Sequence, residues 1–188
     1  MTTTATTLLH SSHRLRSFFE PKSIALVGAS EKSTWSLFTH GNLRGRNYPG
    51  EVYYINPRSQ NFHGQPTVAR LADIGKPVDL AFVMVPPEVV PTIFQEMVAL
   101  GIHNAILLTS GFGEIDAAGW QRQQELSAYA REHDLIFLGP NCMGYMNLAH
   151  NTAPMPGIAS TPIVPGRVAL LSQSGALTAN MLAYAYSQ

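Results

Sequence analysis

Short apolar runs alternate along this chain with stretches of helical spacing, and each run is closed by small, polar or Pro/Gly residues. Ile24-Ala25-Leu26-Val27 is too short for a helix and reads as a buried strand. It stops at Gly28-Ala29-Ser30, and residues 34–44 then read as a helix, with Leu37, Phe38 and Leu43 roughly on one face. Val52-Tyr53-Tyr54-Ile55 is the second strand, ending at Asn56-Pro57-Arg58. Residues 61–65 read as a loop or tight turn and residues 67–74 as a short helical connection. Residues 79–85 form the third strand, closed by Pro86-Pro87. A helix follows with Val89, Ile93, Met97 and Leu100 inward, Pro91 in its first turn and Gly101 as its cap. Residues 104–108 are the fourth strand and residues 116–133 the next helix. Leu135-Ile136-Phe137-Leu138 is the fifth strand, ending at Gly139-Pro140-Asn141-Cys142.

Five strand–helix alternations with continuous apolar strands predict an α/β fold: a Rossmann-like, doubly wound parallel sheet with helices on both faces. In such a sheet ligands bind beyond the carboxyl ends of the strands. All five closing clusters fall on that one edge. Their convergence predicts a binding site there more strongly than any one of them. The first turn is suited to phosphate, because a helix N-terminus offers unpaired N–H groups and partial positive charge. Gly28 is expected to let a ligand approach where a Cβ would block it.

The rest of the chain divides the molecule. Residues 1–17, rich in Thr and Ser, read as a disordered polar tail in preference to a transit peptide, and residues 18–149 as the sheet domain. Residues 150–166 hold Pro154, Pro156, Pro162 and Pro165 and read as an extended linker. Residues 167–188 repeat the opening pattern: a sixth strand at Arg167-Val168-Ala169-Leu170-Leu171, a Ser172-Gln173-Ser174-Gly175 turn, and a helix. One such unit cannot bury both faces of its strand. It either docks on the first sheet or, as preferred here, begins an incomplete second domain.

Composition narrows the partners. Twelve basic residues balance twelve acidic ones, so no field favours nucleic acid or an anionic membrane. No apolar run approaches a membrane span. The single cysteine, Cys142, suits a reducing cytosol, and the location expected is cytoplasmic. The seven histidines are scattered, and no metal site is expected. A nicotinamide dinucleotide is disfavoured: of the G-x-G-x-x-G pattern only Gly28 is present, with Ser30 and Ser33 at the later positions. Asn56 stands where an acidic residue would meet the ribose. Backbone donors over residues 30–34 still suit a pyrophosphate.

The segment from Phe19-Glu20-Pro21-Lys22-Ser23 through Gly28-Ala29-Ser30 resembles the opening of NDP-forming acyl-CoA synthetases, relatives of the succinyl-CoA synthetase alpha subunit. Tyr54-Ile55-Asn56-Pro57, Val85-Pro86-Pro87, Ser110-Gly111-Phe112-Gly113-Glu114, Gly139-Pro140-Asn141-Cys142 and Ser172-Gln173-Ser174-Gly175 follow in the family's order and spacing. The resemblance covers about residue 18 to the end. It implies a CoA-binding domain and, after the linker, the start of a flavodoxin-like second domain. Gly28, Ser30, Lys32, Ser33 and Thr34 would hold CoA phosphates. Asn56, Pro57, Arg58 and Ser59 would border the adenosine end, with Val85 and Pro86 against the nucleotide. Leu108, Thr109 and Ser110 would approach the pantetheine arm, and Asn141 the thiol end. Lys32, Arg58 and Ser59 depart from the family's usual loop residues.

The implied activity is that of an acid–thiol ligase. It interconverts acyl-CoA, NDP and phosphate with a carboxylic acid, CoA and NTP through a phosphohistidine outside this chain, which alone would be inactive. Ser174 and Gly175 would begin the helix that faces that histidine. CoA is the expected ligand. ATP or ADP and Mg2+ belong to absent parts, an ATP-grasp domain or subunit is the expected partner, and self-association is compatible with an exposed remnant. The alternatives are a non-catalytic CoA-binding or regulatory module and, less favoured, an NAD-dependent oxidoreductase. Other residues have plainer readings: Cys142 as a buried core thiol, Glu114 as a helix cap or ligand contact, Trp35 as core or an adenine stack. Arg44 and Arg46 read as solvated surface, and Tyr184 and Tyr186 as part of a face awaiting cover.

Overall fold

The computed structural model describes residues 15–157 and 165–186. Its centre is a seven-stranded sheet in the order β3-β4-β2-β1-β5-β6-β7. The strands are β1 (Ser23–Val27), β2 (Glu51–Ile55), β3 (Asn61–Phe62), β4 (Gln65–Val68), β5 (Leu80–Val83), β6 (Asn104–Leu107) and β7 (Ile136–Leu138). All neighbours run parallel except β3, which pairs antiparallel with β4. The helices are α1 (Thr34–Gly45), α2 (Val90–Ala99), α3 (Ala117–Glu132) and α4 (Gly175–Tyr186).

The strands are apolar on both faces because both are covered. Side chains alternate across a strand. Ile24 and Leu26 of β1, Leu80 and Phe82 of β5 and Ile106 of β6 pack with Leu43 of α1. Their alternates Ala25, Val27, Ala81, Val83, Ala105 and Leu107 pack with Val90, Phe94 and Met97 of α2 and Leu126 and Ala130 of α3. Ala25, Ala81 and Ala105 stand in register across the three central strands. The expected Rossmann-like architecture is therefore present, one layer of helix on each face.

Several elements of the fold differ from what the sequence predicts, Leu37 of α1 among them, which is exposed where an inward position is expected. Residues 61–68 form the β3–β4 hairpin, whose tight turn lies within the turn expected over 61–65, while the helical connection expected over 67–74 is confined to the 3-10 turn Leu71–Ile74. The two hairpin turn residues, His63 (φ 47°) and Gly64 (φ 77°), both take left-handed backbone, the geometry that matches strand twist in two-residue hairpins. On α2 the buried positions are Val90, Phe94 and Met97, while Val89 is exposed. Residues 167–171 are not a strand; they are exposed and carry no ladder. A strand without a neighbour leaves its backbone groups to water.

The chain ends of the sheet domain are tied in. Residues 15–19 are helical, Phe18 is buried, and Tyr145 Oη donates to the Phe18 carbonyl. Residues 150–157, read as the start of a linker, pack back instead: Thr152 and Ala153 are buried, and Asn42 Nδ2 donates to the carbonyls of Met155 at 2.7 Å and Gly157 at 2.6 Å. The rest of that linker falls largely outside the described residues, as does most of the N-terminal tail. Among the described residues no helix is long and apolar enough to cross a membrane.

Candidate functional site

Parallel pairing puts the ends of β1, β2, β5, β6 and β7 on one rim, and every expected site residue before the linker follows one of those ends or lies in the turn into α1. The rim is held by a chain of hydrogen bonds between neighbouring loops. The amides of Gly28 and Ala29 donate to the Ile55 carbonyl at 2.9 and 3.2 Å. Asn56 Nδ2 donates to the Ala29 carbonyl at 2.7 Å while its Oδ1 accepts from the Arg58 amide at 2.8 Å. Asn56 is thus a brace between the first two loops. Ser59 is likewise engaged, its Oγ donating to the Asn61 carbonyl at 2.6 Å. On the other side Thr109 Oγ1 donates to the Val85 carbonyl at 2.7 Å, and the Asn141 amide to the Thr109 carbonyl at 3.0 Å.

Gly28 has a different reason from the one expected. Its φ is +88°, and a Cβ there would lie 3.0 Å from the Met84 carbonyl oxygen and 3.1 Å from Val85 Cγ1. The space beside it is filled by the loop after β5, not left open for a ligand. The glycine lets two strand ends close on each other.

The turn into α1 is built by two serines. Ser33 is the N-cap, its Oγ accepting from the Ser36 amide at 3.3 Å. Ser36, fully buried, accepts the Ser30 amide on its own hydroxyl at 3.2 Å and points that hydroxyl at Met84 Sδ, 3.7 Å away. The first intrahelical bond is made by the Leu37 amide to the Ser33 carbonyl. The amides of Thr34 and Trp35 have no partner among the described residues, as the first turn of any helix leaves them. Lys32 and Arg58 are exposed beside this turn and in the next loop, in no ion pair among the described residues. The turn therefore offers two unpaired N–H groups, a helix dipole and two exposed cations, a combination suited to a phosphorylated ligand.

Several contacts that shape the rim were not read from sequence. Ser36 and Met84 are two. A third is the hairpin: the His63 amide donates to Glu31 Oε1 at 2.8 Å, binding β3–β4 to the loop after β1. The signal was present, since Phe62-His63-Gly64-Gln65 is a two-residue turn ending in glycine, followed by β-branched Thr67 and Val68. Glu114 caps no helix; that role belongs to Asp116, whose Oδ1 accepts from the Gly119 amide at 2.6 Å. Glu114 instead accepts from the Gly111 amide at 2.6 Å, closing the loop after β6 on itself. Burial pushes the Glu114 carboxyl up, but the amides of Glu114, Gly111 and Phe112 outweigh it and hold the group below its ordinary range.

Cys142 is half-buried at the rim, not a core thiol. Trp35 is 51% exposed and so is not a core residue either. Arg44 donates to Gln65 Oε1 at 2.9 Å. Far along the chain Ser174 Oγ accepts from the Leu177 amide at 3.2 Å and so caps α4, whose Leu177 and Tyr184 are exposed. The side chain of Tyr186 lies outside the described residues. Among the described residues no cluster of three or more His, Cys, Asp or Glu side chains is placed for a metal ion.

Residues 22–147 match the CoA binding domain family. The chain belongs to that family. The matched segment begins just before β1 and ends after the loop that follows β7, so it contains the whole rim. The chain is 32% identical over 170 residues to 4-hydroxybutyrate–CoA ligase (ADP-forming) of Nitrosopumilus maritimus, covering 89% of this chain and 24% of that protein. It is 33% identical over 168 residues to subunit alpha of acetate–CoA ligase (ADP-forming) II of Pyrococcus furiosus, covering 88% and 35%. The dinucleotide-forming acetyl-coenzyme A synthetase 1 of Ca. Korarchaeum cryptofilum, solved with phosphate and ADP, superposes with a TM-score of 0.81. It is 30% identical, over 90% of this chain and 36% of that one. The chain thus spans about a quarter to about a third of the relatives it matches. The resemblance drawn from the motifs is the relationship these comparisons show.

Proposed function

We propose that this chain is the CoA-binding portion of an NDP-forming acyl-CoA synthetase. The observation that carries the reading is the rim: five strand-end loops of a CoA binding domain converge beside a helix N-terminus with two unpaired amides and two free cations. The diphosphate of CoA sits on the Thr34 and Trp35 amides, with Gly28, Ser30 and Ser33 shaping the turn. Lys32 and Arg58 neutralise its phosphates from either side. Asn56, Pro57 and Ser59 border the adenosine end, and Val85 and Pro86 supply apolar contact. Leu108, Thr109 and Ser110 line the course of the pantetheine arm toward Asn141.

In the whole enzyme, acyl-CoA and phosphate exchange with CoA and an acyl phosphate. A histidine outside this chain then takes the phosphoryl group and passes it to a nucleoside diphosphate held, with Mg2+, by an ATP-grasp domain or subunit. Ser174 and Gly175 start the helix that faces that histidine, where a positive helix end favours the anion. These residues, together with those after residue 165, belong to a second domain.

Calorimetric titration of the 188-residue chain with CoA, dephospho-CoA, NAD and ADP tests the reading. CoA is expected to bind tightest, with dephospho-CoA weaker by the loss of one phosphate contact. Binding of NAD but not CoA would refute it.

A further inference from the structure

A cleft of about 210 Å3 opens between α2 and α3, on the face of the sheet opposite α1. It is smaller than the roughly 300–1,000 Å3 of sites for drug-sized ligands, so it takes only a compact molecule. Its walls are apolar: Pro87 and Pro91 on one side, the buried Phe112 and Leu126 on the other. Gln95, Tyr129 and two exposed charges of opposite sign, Arg122 and Glu125, complete the lining. The two charges are three residues apart on α3 and so share one face of the helix.

Neither charge is spent. Arg122 Nη2 donates to the Gly111 carbonyl at 2.8 Å, which uses one of the five donors of its fork. Glu125 Oε1 accepts from Gln121 Nε2 at 2.9 Å, and its Oε2 has no partner among the described residues. A lone anion drawn to Arg122 would be opposed by Glu125, and a lone cation at Glu125 by Arg122. A molecule carrying both signs beside a small hydrocarbon body satisfies both charges and the apolar walls. We propose that this cleft binds a small zwitterion with an aliphatic side chain, of the α-amino acid kind. Its carboxylate lies on Arg122, its ammonium on Glu125 and its side chain over Leu126 and Phe112.

The site is separate from the rim but joined to it through one short loop. Gly111, whose carbonyl Arg122 holds, follows directly on Ser110. A bound carboxylate takes the donors of the guanidinium that the carbonyl leaves unused, and so shares Arg122 with the loop after β6. The proposal does not depend on what the rim binds, since occupancy of the cleft is read without CoA.

The test is titration of the 188-residue chain with L-leucine, isovalerate, isopentylamine and glycine, followed by calorimetry and amide NMR. Leucine is expected to bind about tenfold tighter than either half-molecule, as two charge-assisted contacts should exceed one. Shifts should centre on Gly111, Phe112, Arg122 and Leu126. Arg122→Gln and Glu125→Gln, both at exposed positions, should each weaken leucine binding severalfold while leaving the far-UV spectrum unchanged. Isovalerate binding as tightly as leucine would overturn the charge pairing, and glycine doing so would overturn the aliphatic body. Absence of binding by all four, or shifts centred elsewhere, would overturn the site.

Discussion

The backbone amide of His63 donates to the Glu31 carboxylate at 2.8 Å, so the tip of the β3–β4 hairpin holds the loop between β1 and α1 in place. The two residues are 32 positions apart, and the bond makes the edge of the sheet a support for the turn into α1. Loss of the carboxylate should loosen that turn without disturbing the core, because Glu31 is exposed. Glu31→Ala is expected to weaken CoA binding severalfold and to leave stability within about 0.5 kcal/mol, as for most surface changes. Glu31→Gln keeps an acceptor and should bind nearly as the parent does. Parallel calorimetry and urea melts decide it; equal CoA affinity in all three proteins would remove Glu31 from the support.

Acid should weaken the same corner through His40. Its ring contacts Tyr54 Oη at 2.8 Å, packs edge-on to Phe62 and stacks on His63 at 6.0 Å. Burial first, then the charges of Arg44 and His63, hold its pKa below the ordinary value. The folded state therefore prefers the neutral ring. That contribution is fully present above the unfolded value of about 6.5 and is lost as pH falls through the folded one. Stability of the parent should fall from about pH 7 to pH 5 more steeply than that of His40→Gln, measured by urea unfolding at each pH. Parallel pH curves would exclude the ring as the cause.

Gly28→Ala should be costly. The residue's φ is +88°, and the added methyl would press on the Met84 carbonyl and Val85. Left-handed strain alone is worth about 1–3 kcal/mol. The loss should appear in the urea midpoint, and CoA binding should drop with it because the ends of β1 and β5 are forced apart. Unchanged stability would mean that the two loops part freely.

Ser36→Ala tests the buried hydroxyl. It deprives the Ser30 amide of its acceptor at 3.2 Å and leaves a cavity only one oxygen wide. The expected cost is about 1–3 kcal/mol for a donor left unsatisfied. Amide exchange at Ser30 should quicken in the same variant. If exchange there is unaltered, the hydroxyl is not what orders the turn.

The sheet was legible because each strand is a continuous apolar run between small-residue breaks, the pattern that burial on both faces enforces. Ile24 to Val27 and Leu80 to Val83 show it plainly. The hairpin was missed because β3 is two residues long and β4 contains Pro66, which demotes a run as a strand. The sixth strand was overread for the opposite reason. Residues 167–171 have strand composition, but pairing is a property of a neighbour, and none of the described residues supplies one. At the rim the helix start was legible from its residues, but its donors were not: of the amides expected over residues 30–34, those of Ser30, Lys32 and Ser33 are spent within the turn. Nor were the bridges made by Asn56, Ser36 and Glu31, since they depend on which loops stand side by side.

The row of Ala25, Ala81 and Ala105 sets a spacing that single substitutions cannot change gracefully. Three methyl groups abreast act as a thin shim between the sheet and its two outer helices, and thicker neighbours would lift both together. The segments at the heads of those helices would ride up with them, widening the crevice mouth on one flank only. Drift at any of these three positions would thus reshape the rim from the far side of the wall.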